Sequence, residues 1–176
     1  MITSLDQLRQ QLPQCSGPEY VKIAQDMKLP LADFEPFMHW DEEHYTRNCI
    51  DRTDDYELIL LCWEAGQETP IHGHGGEECW VYALQGSIRE HRQEWQEAQQ
   101  VLRTVETSQM EAGDISYMDD NMGYHSLHNV GSGRAMTLHL YMNPIDRCRV
   151  FDPQAQSFQI KEMEYDTHQG ELLTTG

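Results

Sequence analysis

The chain has 176 residues, and its 30 acidic residues against 12 basic ones give a formal net charge of −18. This length predicts one domain, spanning residues 1–176, with a sizeable core. The acidic excess argues against nucleic acid or an anionic membrane as a partner, because those surfaces attract basic proteins. The sequence contains no apolar run long enough to cross a bilayer and no signal-peptide pattern. Five scattered cysteines favour a reduced, cytoplasmic setting over a disulfide framework.

The first 44 residues are predicted to be helical. Leu5, Leu8 and Leu12 recur at helical spacing directly after Ser4, a residue that can cap a helix. The pair Gly17-Pro18 is typical of a second helix start, because proline is favoured in the first turn. Apolar residues within 31–38 indicate a short third helix.

From residue 45 onward the pattern changes to short strands separated by turn residues. Many short strands at regular intervals predict a mainly-β fold, an antiparallel barrel or jelly roll over residues 45–165. Residues 95–100 are polar and are interpreted as a loop tip, and the polar tail 166–176 is expected to fray. The clearest predicted strands are Tyr56 to Trp63, Cys79 to Leu84, Ser87 to Arg92, Asp114 to Met118, Ala135 to Met142 and Phe158 to Met163.

The segment from Gly66 to Gly86 carries the strongest functional signal. His72 and His74 stand two residues apart, and alternate residues of a strand point to one face, so two imidazoles can reach one metal ion. The spacing from Gly66 through the two histidines to Gly86 resembles the first motif of the cupin superfamily. The motif's glutamate position, seven residues before Gly86, is occupied by Cys79.

Two alternatives for this segment follow from the residues. The spacing to Gly86 favours Cys79 pointing inward, which leaves a site with histidine ligands only. In a regular strand, however, Glu78 is in phase with the two histidines, and a glutamate there is typical of a four-ligand zinc or nickel cupin. Imidazoles alone do not select between iron, zinc, copper and nickel.

A cysteine at the glutamate position resembles the thiol dioxygenases, and the cysteine dioxygenase family in particular. Further segments resemble that family in the same order along the chain, over roughly residues 45–152. They are Tyr45-Thr46-Arg47-Asn48, Gly123-Tyr124-His125 with Asn129, Thr137-Leu138-His139-Leu140-Tyr141, and Asp146-Arg147-Cys148. The second motif departs from the cupin pattern, with Asp120 in place of proline and Met122 in place of glycine.

The resemblance implies a function and a set of site residues. By analogy with the family, His72, His74 and His125 would bind Fe(II), and the partners would be L-cysteine and O2. The product would be cysteine sulfinic acid, and a monomer is the working expectation. The substrate carboxylate would lie on Arg47 beside Tyr45, and the catalytic residues would be Tyr141, His139 and Cys79. In the family such a cysteine and tyrosine form a thioether crosslink.

Several simpler interpretations stand beside these. Arg47 is equally compatible with a surface ion pair to Glu42, Glu43 or Asp51, and Thr137, His139 and Tyr141 with polar groups that satisfy one another. The alternative functions are a dioxygenase of another small thiol, such as 3-mercaptopropionate, and a non-enzymatic metal-binding cupin. The remaining histidines are expected to be ordinary surface or core residues; they are His39, His44, His91, His128 and His168.

Overall fold

The computed structural model describes residues 1–173, beginning with two helices. Helix α1 spans Leu5–Gln11, and the Ser4 hydroxyl caps it by accepting a hydrogen bond from the Gln7 amide. Helix α2 spans Glu19–Gln25 and follows Pro18. Two 3₁₀ segments, Leu12–Gln14 and Leu31–Phe37, complete this region, so the predicted third helix is a 3₁₀ segment.

Between Thr46 and Leu172 the described part of the chain forms twelve strands, ten of which belong to two sheets that face each other. The larger sheet has the order β12-β11-β1-β2-β8-β3-β6, and a second sheet has the order β5-β4-β7. A separate hairpin pairs β9 with β10. The strands are β1 Thr46–Arg52, β2 Tyr56–Trp63, β3 Glu78–Gln85, β4 Ser87–Gln96, β5 Val101–Glu111, β6 Ile115–Met118, β7 Tyr124–Asn129, β8 Ala135–Met142, β9 Arg147–Asp152, β10 Ser157–Glu162, β11 Thr167–His168 and β12 Glu171–Leu172.

An irregular segment, residues 68–73, joins the β9–β10 hairpin to the second sheet. His72 exchanges two backbone hydrogen bonds with His125 of β7, each 2.9 Å long. On its other side the segment bonds strand β9: the Ile71 carbonyl accepts a hydrogen bond from the Phe151 amide, and the Gly73 amide donates one to the Arg149 carbonyl. The histidine motif is therefore held between two strands although it is not itself a regular strand.

Strand β2 explains how the chain builds two cores. All eight of its residues are buried, because the strand lies at the centre of a sheet covered on both faces. Leu58 and Leu60 pack with the N-terminal helices, whereas Ile59, Leu61 and Trp63 face the interior between the two layers. The prediction of a mainly-β jelly roll with N-terminal helices is thus confirmed.

Three details differ from the sequence prediction. Strand β4 continues through Trp95 to Gln96, so the predicted loop tip is confined to the turn at residues 97–100. The long strand β5 was not predicted. The tail is not frayed over 166–173, because Thr167 and His168 pair with β1 and then with β12; residues 174–176 lie outside the described part. Within residues 1–173, no helix is long and apolar enough to span a membrane.

Candidate metal centre and substrate cavity

Three histidine side chains meet between the two layers. His72 and His74 come from the segment that leads into β3, and His125 comes from β7. Their ligand atoms all lie within 4.8 Å of one another, and the Nε2 atoms of His74 and His125 are 3.0 Å apart. Nitrogens that bind one ion at about 2.1 Å lie roughly 3 Å apart. Within residues 1–173 this is the only such group of three potential metal-binding side chains.

Burial keeps these imidazoles neutral. Loss of solvent lowers the pKa of His72 to about 4 and holds the pKa values of His74 and His125 well below their usual range. A neutral imidazole is the form that binds a metal, because one ring nitrogen then offers a lone pair. The three side chains are therefore in the protonation state that a metal site requires.

The hydrogen bonds around the histidines also fit a metal. Nδ1 of His72 bonds the Pro70 carbonyl (2.9 Å), and Nδ1 of His125 bonds the buried Glu90 carboxylate (2.7 Å). These partners accept, so each Nδ1 carries the proton and each Nε2 presents a lone pair to the common centre. His74 Nδ1 is buried without a partner. A cation among the three Nε2 atoms would use lone pairs that otherwise face one another, so these residues fit a bound metal ion.

Asp120 fixes the loop that carries the histidine motif. Its carboxylate accepts from the backbone amides of His74 (2.6 Å) and Gly76 (2.7 Å). Gly75, with a φ of +67°, lies where a Cβ atom would approach the Arg147 carbonyl to 2.8 Å. The aspartate at position 120, where the cupin motif has proline, thus holds the loop around His74 in place.

The structure distinguishes the two alternatives for β3. Cys79 is fully buried and lies directly opposite Tyr141 of β8, so both side chains are on the interior face. Glu78 is exposed on the other face, beside Tyr117, and is not part of the histidine group. The four-ligand alternative with Glu78 is therefore wrong, because β3 begins in the phase that turns Cys79 inward.

Four side chains form a hydrogen-bonded row along the interior. The Trp63 indole donates to Thr137 Oγ1 (3.0 Å), Thr137 Oγ1 lies 2.9 Å from His139 Nε2, and His139 Nδ1 lies 3.5 Å from the Tyr141 hydroxyl. Since the indole can only donate, we assign the threonine proton to the bond with His139 Nε2. Neutral His139 then carries its own proton on Nδ1, directed towards Tyr141 and Cys79. Burial, the main cause, raises the pKa of Tyr141 well above its usual value.

Arg47 and Tyr45 reach the same interior from β1 and the residue before it. The Arg47 side chain donates from Nε to the Glu164 carbonyl (3.0 Å), which leaves the rest of the guanidinium next to the Tyr141 hydroxyl. Tyr45 stacks on Trp63 with ring centroids 4.8 Å apart. Among the described residues Arg47 forms no ion pair, so the interpretation as a surface pair with an acid is not supported.

A small cavity of about 30 Å³ connects these groups. Only small molecules fit such a space without rearrangement of its walls. Arg47 stands at one side and His72 at another, with apolar side chains between them. The lining comprises Tyr45, Arg47, Leu61, Thr69, Pro70, His72, Leu127, His139, Tyr141, Cys148, Val150, Lys161 and Met163.

The sequence interpretation gave no supporting role to three residues that hold the site in place. Trp63 and Asp120 have the contacts described above, and Glu90 contacts His125 from β4. The sequence did contain a signal for Glu90. Glu90 lies two residues after Ile88 and therefore on the same, buried face of that strand. The fold is that of a cupin-like jelly roll, and its interior holds a group of three histidines that fits a metal ion.

Comparison with known proteins gives the family. The sequence profile of the family "Cysteine dioxygenase type I" matches residues 2–154. Cysteine dioxygenase type 1 of Danio rerio is 30% identical over 143 residues, which cover 79% of this chain and 71% of the relative. The Rattus norvegicus protein of the same name is 31% identical over 125 residues, covering 69% of this chain and 62% of the relative. The chain thus spans less than two thirds of the rat protein's length.

A solved structure supports the fold independently. A Klebsiella pneumoniae protein with a double-stranded β-helix domain superposes with a TM-score of 0.51 at 16% identity, over 72% of this chain and 92% of that one. On the family profile and the two relatives, this chain belongs to the cysteine dioxygenase type I family, a family of oxidoreductases.

Proposed function

We propose that the chain is an Fe(II)-dependent dioxygenase that converts L-cysteine and O2 into cysteine sulfinic acid. Both oxygen atoms pass to sulfur, and the thiol supplies the electrons, so no external reductant is needed. The observation that carries the proposal is a small cavity lined by His72, Arg47 and Tyr141 together. It offers a metal position, a carboxylate partner and a hydroxyl within reach of one small molecule.

His72, His74 and His125 would hold the ion. Bound there, iron would supply the redox chemistry that links a substrate thiolate to dioxygen. A ligand set without a carboxylate leaves the dication unneutralised, which favours an anionic thiolate as substrate.

The remaining residues bind and orient the substrate. Arg47 presents a planar guanidinium that can form two parallel hydrogen bonds to a carboxylate. The Tyr141 hydroxyl, next to Arg47 and His139, would orient the substrate and hold a proton at its oxygen. Leu61 and Leu127 exclude water from this side of the cavity.

Oxygen uptake tests the proposal directly. Protein loaded anaerobically with Fe(II) should consume one O2 for each cysteine sulfinate formed, whereas cysteamine, which has no carboxylate, should be a poor substrate. Arg47→Ala should raise the KM for cysteine about 10- to 100-fold, because a charged hydrogen bond contributes roughly 1.5–3 kcal/mol.

Arg103→Ala provides a matched control, because Arg103 is exposed on β5 and far from the cavity. It should leave the KM unchanged. Equal turnover of cysteamine and cysteine, or an unchanged KM in Arg47→Ala, would contradict the assigned role of Arg47. Faster turnover of 3-mercaptopropionate than of cysteine would assign a different thiol.

A further inference from the structure

The three histidines differ in what lies behind them. Nδ1 of His72 contacts a neutral backbone carbonyl, and Nδ1 of His74 makes no hydrogen bond of normal geometry, with only the Met118 backbone near the ring. Only His125 is bonded to a carboxylate, that of Glu90, at 2.7 Å. Both side chains of this pair are 1% exposed. An anion thus lies one hydrogen bond away from a metal-binding group that contains no anion of its own.

The surroundings of Glu90 are built for a carboxylate. Its second oxygen lies 2.7 Å from the Ser116 hydroxyl of β6, and the Arg92 guanidinium is 3.6 Å away. Arg92 also donates to Ser116 Oγ (3.2 Å) and to the Tyr117 carbonyl (2.7 Å). Because arginine can only donate, the serine proton is free to bond Glu90. Each oxygen of the carboxylate therefore has a donor, as a buried anion requires.

The position of Glu90 follows from strand register. Glu90 and Arg92 lie two residues apart on β4, so both point to the face that His125 occupies on β7. Ser116 comes from β6 in the opposite sheet. The hydrogen bonds that link His125, Glu90, Ser116 and Arg92 therefore join the two layers next to the three histidines. The fold thus fixes the Glu90 carboxylate in one place.

We propose that Glu90 is a positioning residue that supplies, through His125, the negative charge that the all-histidine set lacks. Many non-haem iron sites place a carboxylate on the metal itself. Here the carboxylate accepts the Nδ1 proton of His125, which fixes the ring and increases electron donation from Nε2. The position in front of the metal stays free for an anionic substrate. This inference rests on the proposed metal site.

The test is Fe(II) binding by the full chain without substrate, measured anaerobically by competition with a chelator. Glu90→Gln keeps the shape and an acceptor oxygen but removes the charge. It should weaken Fe(II) binding about 10- to 100-fold and raise the reduction potential of the bound iron. Glu90→Asp, which keeps the charge, should recover part of both effects.

Glu106→Gln is the matched control, since Glu106 makes an exposed ion pair with the same Arg92 at 3.5 Å. Its Fe(II) affinity should stay within about threefold of wild type, as expected for an exposed pair. Unchanged affinity in Glu90→Gln, a loss shared by Glu106→Gln, or weaker binding without a rise in potential would each overturn the inference.

Ser116→Ala covers the case in which Glu90→Gln fails to fold. Without the Ser116 hydroxyl, the Glu90 carboxylate has one donor fewer and leaves more negative charge on the side of His125. The reduction potential of the bound iron should therefore fall, and an unchanged or higher potential would contradict the inference. Wild-type protein that binds no iron would instead refute the proposed function. The two failures are therefore distinguishable.

Discussion

Cys79 and Tyr141 illustrate how strand register creates chemistry at the residue scale. Their Cα atoms are direct partners across β3 and β8, and both side chains are buried in the interior next to His139. Burial raises the pKa of the Cys79 thiol and that of the Tyr141 hydroxyl, so both groups are protonated in the resting protein. Two such groups held in contact are placed to react with each other when an oxidant is generated beside them.

We expect a thioether between the Cys79 sulfur and the Tyr141 ring carbon next to the hydroxyl. The bond forms with loss of one hydrogen from each group, and dioxygen accepts both. It should accumulate with turnover, so purified protein should be a mixture of joined and separate forms. Peptide mapping before and after aerobic incubation with iron and cysteine measures it.

Cys148→Ser is the control for this crosslink. Cys148 lines the cavity together with Tyr141, but its sulfur lies against Met163 and its strand is not paired with β8. The joined peptide should therefore persist in Cys148→Ser and be absent from Cys79→Gly. Because the crosslink orients the tyrosine and adds no new group, Cys79→Gly should retain reduced activity, and Tyr141→Phe should lose more. A Cys79 thiol that stays fully alkylatable after many turnovers would rule the crosslink out.

The site residues differ in how far the sequence could locate them. His72 and His74 were recognisable because two ligands at strand spacing leave a pattern in the sequence. The choice between Glu78 and Cys79 remained open, because a loop of several glycines hides the phase in which β3 begins. Glu90 and Asp120 were missed because their partners are distant in the sequence, and only the packing of the two layers brings them together.

At the scale of elements, residues 164–168, which end in strand β11, determine how Arg47 is presented. The Asp166 carboxylate accepts from the Arg47 backbone amide at 2.7 Å, and the Asp166 amide donates back to the Arg47 carbonyl at 2.8 Å. The Arg47 side chain bonds the Glu164 carbonyl. The segment 164–168, which lies beyond the part matched by the family profile, therefore holds both the backbone and the side chain of the proposed carboxylate partner.

Asp166→Ala should weaken cysteine binding without abolishing folding. The substitution leaves the Arg47 amide without its side-chain acceptor, which costs about 1–3 kcal/mol. We expect a several-fold increase in KM, a smaller change in kcat and a lower free energy of unfolding in urea. Asp166→Asn keeps an acceptor oxygen and should stay close to wild type. A KM and stability unchanged in Asp166→Ala would show that residues 164–168 have no part in substrate binding.

The elements themselves were predictable where one or both faces are buried. Strands β2 and β8 were found because their residues are almost all apolar. Strand β5 was missed because it is an edge strand that pairs only with β4 and exposes most of both faces, so its sequence has neither alternation nor an apolar run. The tail was misjudged because β11 and β12 are only two residues long, and their order comes from the pairing of β11 with β1 and of β12 with β11.

At the scale of the whole molecule, the interior contains three buried imidazoles, and a fourth, that of His72, is half-buried beside them. Burial lowers the pKa of His72 to about 4 and those of His74, His125 and His139 well below the usual value. In the unfolded chain a histidine titrates near pH 6.5. Below that pH the unfolded chain binds more protons than the folded protein, so the free energy of unfolding falls as the pH falls. For His72 this loss extends from about pH 6.5 to about pH 4.

Metal-free protein should therefore lose stability steeply on acidification from pH 7 towards pH 4, measured by urea unfolding at several pH values. Each of these histidines contributes to the loss, because each takes up a proton in the unfolded chain that it does not take up in the folded protein. The buried Glu57 opposes it, because burial raises its pKa and its folded form binds a proton more readily. One such carboxyl does not offset four imidazoles. His139→Gln should flatten the pH dependence, because it removes one of the imidazoles that burial holds neutral. Loading with metal should shift the loss to lower pH, because the ion competes with protons for the imidazoles. Stability that is independent of pH over this range in the metal-free protein would show that the imidazoles are not held neutral by burial.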